Sequence, residues 1–168
     1  VNKRIKIWII TGILPLLMAG ACYSFKDAAN DPNIKTFKVA YFDNKAAEIN
    51  PKLSQAFTER LKDEILAQSN LDEIDQNPDV EFSGYIATYT INPIAPKAGE
   101  SSSMSRLTIS VYVNYINHVN EKNAWQNTFS RYADFDATQT LTAVEDQLIE
   151  EINNQLVDDI FRKAFVNW

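Results

Sequence analysis

The sequence predicts an α/β (α+β) two-layer sandwich: a four-stranded mixed sheet with two helices on one face, in the order βαβββα. Three observations carry this. Two stretches place apolar residues at steps of four, Leu53, Phe57, Leu61, Ile65 and Val144, Leu148, Ile152, Leu156, Ile160, the spacing of amphipathic helices. The stretch Leu107–Asn117 alternates strictly, as a half-buried strand does. Each helix carries a single apolar stripe, so both must lie on the same face of the sheet.

Taken in order, Thr36–Phe42 sets Phe37, Val39 and Tyr41 against Thr36, Lys38 and Ala40, a strand with one apolar face that Asp43-Asn44 ends. Asn50-Pro51 supplies an N-cap and a first helical residue. Ala56 and Leu66 flank the stripe that follows, and Ser69-Asn70 closes the helix, with Asn tolerating a left-handed cap. Leu71–Ile74 is a short extended piece and Asn77-Pro78-Asp79 a turn. Val80–Ile91 reads as the second long strand. Its alternation is poor and Gly84 lies inside it, which points to a bulge there.

Asn92–Ser105 is a long loop by its Pro93, Pro96, Gly99 and serine run. Long loops in compact domains often serve function. Pro93, Pro96, Lys97 and Ser102 are its candidate partner-contact residues, with a plain connection as the other reading. Leu107, Ile109, Val111, Val113 and Tyr115 then face the core, and Thr108, Ser110, Tyr112 and Asn114 face water. His118–Asn123 is a polar turn. Trp125–Ala133 returns as a partner strand with Trp125, Phe129 and Arg131 on one parity. Asp134-Phe135-Asp136 leads toward the last helix, where Thr142 and Glu145 have capping-box spacing. Ile149, Val157, Phe161 and Phe165 widen that helix's stripe, Arg162-Lys163 suit its C-terminal end, and the apolar face continues to Trp168.

The first 22 residues follow a different logic. Lys3, Arg4 and Lys6 are basic, Ile7–Met18 is apolar, and Ala19-Gly20-Ala21 are small, the layout of a secretory signal. Small residues directly before Cys22 resemble the lipobox of bacterial lipoproteins, in which that cysteine is acylated. The chain therefore divides into a signal peptide at 1–21, a lipidated tether at 22–35 and one domain at 36–168.

Losing the signal reduces 16 basic residues to 13 against 22 acidic, a formal charge of −9. An acidic domain suits no nucleic acid. Cys22 is the only cysteine and His118 the only histidine. With Cys22 acylated, no thiol remains for a disulfide, a metal or a nucleophile, and no nucleophile–base pair or metal-ligand spacing is present.

Several stretches are similar to the LptE family of lipopolysaccharide-assembly lipoproteins, in its Bacteroidetes form. They are Leu53-Ser54-Gln55-Ala56-Phe57-Thr58-Glu59, Arg106-Leu107-Thr108-Ile109-Ser110-Val111, Phe129-Ser130-Arg131-Tyr132-Ala133-Asp134, and the close from Val144-Glu145-Asp146 through Ala164-Phe165-Val166-Asn167-Trp168. The resemblance implies a non-enzymatic lipoprotein without cofactor, anchored in the outer membrane on its periplasmic side. It implies the LptD β-barrel as partner, plugged and helped in assembly by this chain, and lipopolysaccharide as the molecule whose transport to the cell surface it assists. Lys97, Arg106 and Arg131 are candidate lipopolysaccharide contacts, being cations near the loop or on strands. The alternative is a periplasmic lipoprotein that regulates or docks on a peptidoglycan synthase or secretion channel.

Overall fold

A computed structural model describes residues 31–48, 50–95 and 103–166. The expectations for Cys22, Pro96, Lys97, Ser102 and Trp168 fall outside those residues. The elements are β1 (Thr36–Val39), β2 (Asp43–Asn44), α1 (Leu53–Gln68), β3 (Asp72–Glu73), β4 (Val80–Ile94), β5 (Met104–Asn117), β6 (Trp125–Asp136) and α2 (Leu141–Phe165), with a 3-10 turn at Glu121–Asn123. The strands form one mixed sheet in the order β3-β1-β4-β5-β6, with β2 also paired to β4. β1 runs parallel to β3 and β4, whereas β4, β5 and β6 form an antiparallel meander. The class matches the expectation of two helices on a mixed sheet, but the sheet has six strands rather than four.

The two added strands are short, and each has a local cause. The expected strand over Thr36–Phe42 is broken because the Phe42 N–H leaves the sheet and donates to Thr58 Oγ1 on α1, at 3.1 Å. Phe42 is thereby turned into the core, edge-on to Phe57 at 5.1 Å between centroids. Pairing resumes at β2, where the Lys45 N–H reaches the Ile86 carbonyl at 2.9 Å. β3 is the extended piece after α1. It is held beside β1 by Asp72 N–H to Lys35 O (2.9 Å) and Ile74 N–H to Phe37 O (3.0 Å).

β4 explains its own poor alternation. Val80, Phe82 and Ile86 point inward on even positions, and Tyr89 is buried on an odd one. The switch is a bulge, but it lies between Ile86 and Thr88, not at Gly84. Gly84 serves close packing instead: a Cβ there would stand 2.0 Å from the Tyr112 carbonyl oxygen and 2.7 Å from Phe42 Cε1. β4 also runs on through Pro93, which pairs with Ser105, so the expected 92–105 loop is shorter than read. Beyond the bulge β4 pairs with β5 on one side only among the described residues. A proline is tolerated on such an edge because it removes no needed donor. β6 likewise extends past Ala133 to Asp136, antiparallel to β5.

The helices behave as their stripes require. Leu53, Phe57, Leu61 and Ile65 of α1 are fully buried, as are Ile152, Leu156, Val157 and Ile160 of α2. They pack against Leu107, Ile109, Val111 and Val113 in one core. Leu66 is nearly half exposed and lies off the stripe.

Three end signals differ from the reading. α1 begins at Leu53 rather than at Pro51; Asn50 instead accepts the Lys52 N–H through its side chain at 2.8 Å, closing a turn just ahead of the helix. At its other end the Ser69 N–H and hydroxyl both donate to the Ile65 carbonyl, and the left-handed asparagine is Asn77 (φ 52°), in the following turn. α2 has Thr140 as N-cap residue without a side-chain cap, and Glu145 serves tertiary structure instead of a capping box. It accepts from Asn50 Nδ2 at 2.9 Å and from the Tyr89 hydroxyl.

Candidate functional site: the open face of the sheet

Both helices pack on one side, so among the described residues no second layer covers the other side. The register defines what that open side presents. From one end to the other its cross-strand rows over β4, β5 and β6 are Ser83–Asn114–Gln126, Tyr85–Tyr112–Thr128, Thr88–Ser110–Ser130, Thr90–Thr108–Tyr132 and Asn92–Arg106–Asp134. The first four rows carry no formal charge; they are hydroxyl, amide and phenol groups.

Direct contacts order this surface. Tyr85 and Tyr112 stack at 5.1 Å with 25° between planes, and Lys45 Nζ lies 4.5 Å above the Tyr85 ring. The Ser110 and Ser130 hydroxyls are 2.9 Å apart, and Asn114 Nδ2 donates to Ser83 Oγ at 3.3 Å. In the last row Arg106 makes a two-pronged contact with Asp134, Nε–Oδ1 2.7 Å and Nη2–Oδ2 2.9 Å. Its guanidinium also sits 3.6 Å from the centre of the Tyr132 ring, which remains half exposed. The hydrogen bond to Asp134 raises the Arg106 pKa, and the same bond holds the Asp134 carboxyl below its usual range. An arginine on a carboxylate and an aromatic face has little rotamer freedom left, so this end of the surface is preorganised.

The other candidate cation lies on the opposite side. Arg131 sits on the helix-facing parity of β6 and grips Asp159 of α2 through Nε (2.6 Å) and Nη2 (2.7 Å). The Asp159 hydrogen bond raises its pKa. The structure therefore does not bring Arg106 and Arg131 together. Pro93 is on β4, in the stretch leading to the 95–103 connection.

The sequence reading assigned Thr108, Ser110, Tyr112 and Asn114 to the wet face, and they are on it. It missed Tyr85 and Tyr132, which join them. Register was the missing signal: the bulge at Ala87 hides which β4 residues share that face, and the β5–β6 pairing sets Tyr132 beside Thr108.

Two of the hollows among the described residues lie elsewhere. One, of about 280 Å³, runs between the helices over Ala56 and Ile149. It is spanned by the Lys52–Asp146 pair (3.4 Å) and by Arg60 Nε donating to Asn154 Oδ1 (2.6 Å). The other, of about 520 Å³, is polar and lined by Lys38, Asp75, Asp79, Glu81 and His118. Among the described residues no three His, Cys, Asp or Glu side chains are placed to hold a metal. No helix among them is long and apolar enough to cross a membrane.

Comparison with curated proteins finds no match. Similar solved structures include a minor lipoprotein from Acinetobacter baumannii, 14% identical, covering 77% of this chain and 91% of that one with a TM-score of 0.52. They also include an uncharacterized lipoprotein B from Nitrosomonas europaea (14% identical, 77% and 81% covered, TM-score 0.46). A third is a PelC dodecamer from Paraburkholderia phytofirmans (16% identical, 73% and 88% covered, TM-score 0.43). The first of these shares the fold. The LptE family, described as lipopolysaccharide-assembly, matches residues 34–164, most of the chain, and so this protein belongs to the LptE family and acts in lipopolysaccharide assembly.

Proposed function

We propose that the chain is a non-enzymatic outer-membrane lipoprotein, acylated at Cys22. In this reading it plugs and helps assemble the LptD β-barrel and assists lipopolysaccharide transport to the cell surface. The family match over residues 34–164 carries the reading. The two-layer domain supports it: the helices cover one side of the sheet, and among the described residues the other side is a broad polar surface without a second layer. Residues 1–21 are the signal peptide, 22–35 the tether, and 36–168 the domain that enters the barrel.

Among the candidate cations, Arg106 and Lys97 near the 95–103 connection are proposed to meet lipopolysaccharide. Arg131 faces the helix layer, where it ties β6 to Asp159 of α2, and serves the fold in this reading. Two experiments test the function. Depletion of the protein is expected to trap lipopolysaccharide or lipo-oligosaccharide within the cell envelope; normal surface display after depletion refutes the transport role. Crosslinked pull-down of the tagged chain is expected to recover the outer-membrane barrel. Recovery of only a peptidoglycan synthase or a secretion pore replaces LptD with that partner.

A further inference from the structure

The two layers of this domain differ sharply in surface chemistry. The helix layer carries Glu59, Arg60, Asp63, Glu150, Glu151, Asp158, Arg162 and Lys163 along α1 and α2, with ion pairs such as Arg60–Glu64 (2.7 Å) and Arg162–Asp158 (2.9 Å). The open sheet face, in a chain with 23% charged residues, has four successive rows without a charge. Within β4–β6 its nearest charges are the Arg106–Asp134 pair at one end and Glu81 at the other; Asp43 and Lys45 flank Tyr85 from the β2 edge, outside these rows. A solvated sheet face has no need to avoid Lys and Glu, which are the usual means of keeping such surfaces soluble. A face that becomes buried against protein does need to avoid them, because a charge taken from water without a partner is strongly disfavoured.

We infer that the open face centred on Tyr85, Tyr112, Thr128 and Ser130 is the surface that packs against the inner wall of the β-barrel. This rests on the barrel-plug reading above and adds which side of the domain makes the contact. The chemistry fits. The inward-facing side chains of an outer-membrane barrel are polar, and hydroxyl and amide groups can exchange hydrogen bonds with such a wall without leaving a desolvated charge. The tyrosines add flat apolar area at low entropy cost, as they do in other recognition surfaces, and the stacked Tyr85–Tyr112 pair is already fixed. The five rows span roughly 27 Å at about 3.4 Å per residue, close to the barrel's membrane band of about 25 Å. The charged helix layer then remains toward water.

The test is site-specific photocrosslinking in cells with the full-length tagged chain. Benzoylphenylalanine is placed singly at Thr128 or Tyr132 on the open face, and at Asp63 or Glu151 on the helix layer; all four positions are exposed. The expected result is adducts to a β-barrel protein from Thr128 and Tyr132, and few or none from Asp63 and Glu151. Barrel adducts only from the helix positions overturn this inference and leave the plug reading standing. Adducts from Thr128, which lies away from Arg106, to glycolipid rather than protein also overturn it. Absence of barrel adducts from all four positions removes the plug reading and this inference with it.

A second measurement uses charge. Thr128→Lys and Ser130→Lys each place a cation on an exposed strand position and are expected to lower barrel recovery by at least about tenfold. Glu151→Lys is expected to leave recovery unchanged. Unfolding midpoints of the purified variants separate lost docking from lost folding. Full recovery with well-folded Thr128→Lys and Ser130→Lys overturns the inference.

Discussion

Gly84 lies where three elements close on one another. Any side chain there would enter the space held by the Tyr112 carbonyl and the Phe42 ring, and neither has room to withdraw: one is strand backbone, the other fully buried against Phe57. Gly84→Ala is expected to lower the unfolding free energy by about 2–3 kcal/mol, read from chemical denaturation of the domain. Asp79 works by a different force. Its Oδ2 accepts from the Lys35 N–H (2.8 Å), the Thr36 N–H (2.9 Å) and the Thr36 hydroxyl (3.0 Å), clasping the start of β1 to the start of β4. The backbone hydrogen bond from Lys35 is the largest cause that holds its carboxyl below the usual range. A carboxyl lowered in the folded state stabilises fully above its unfolded pKa, and that contribution disappears as pH falls through the folded value. Asp79→Asn is therefore expected to cost about 1 kcal/mol at neutral pH, a modest figure because the site is near the surface. Below about pH 4 the gap to the unmodified chain should narrow steadily, and denaturation curves taken across that range measure it.

At the scale of elements, Glu145 has the widest reach. It joins α2 to the Tyr89 hydroxyl on β4 and to Asn50 ahead of α1. Burial is the first cause that pushes the Tyr89 phenol upward, and the Glu145 hydrogen bond adds to it, so the phenol stays neutral and donates. Glu145→Ala leaves that buried hydroxyl without its acceptor and is expected to cost about 2 kcal/mol. Tyr89→Phe should cost less, and the pair together less than the sum, because both break the same contact. A double-mutant cycle measured by denaturation checks the coupling; strict additivity would show that the two side chains act independently. The Arg131–Asp159 tie between β6 and α2 is more exposed, so its loss is expected to matter less than that of Glu145.

At the scale of the whole molecule, the described residues form an asymmetric sandwich, charged on its helix side and uncharged over four rows of β4–β6 on its open side, with Asp43 and Lys45 at the β2 edge. With Cys22 acylated as proposed, membrane attachment depends on the lipid. Acyl chains contribute about 0.8 kcal/mol per buried CH₂, so several chains hold firmly where one does not. Cys22→Ser is expected to move the protein from the membrane fraction to the soluble fraction. Retention of Cys22→Ser on membranes after a high-salt wash would show that contacts of the domain itself provide the attachment.

Local periodicity was enough to settle much of this fold. The helical stripes of α1 and α2 and the alternation of β5 are written in spacings of four and two, and each ended up facing the core as those spacings require. The hydroxyl and amide residues on the even positions of β5 were equally legible as the wet face. What periodicity could not reach were the features decided by register and by competition for hydrogen bonds. The Phe42 N–H is taken by Thr58, sixteen residues away, which splits one expected strand in two. The bulge at Ala87 reverses the parity of β4, so Tyr85 below it and Thr88 above it share a face that simple alternation would divide. Glu145 has the spacing of a cap and is drawn instead to a tyrosine and an asparagine distant in sequence. At Phe42 and Glu145 a local preference worth about a kcal/mol gave way to a buried polar group that had to find a partner, and at the bulge to the register between strands; only the assembled chain determines where those partners are.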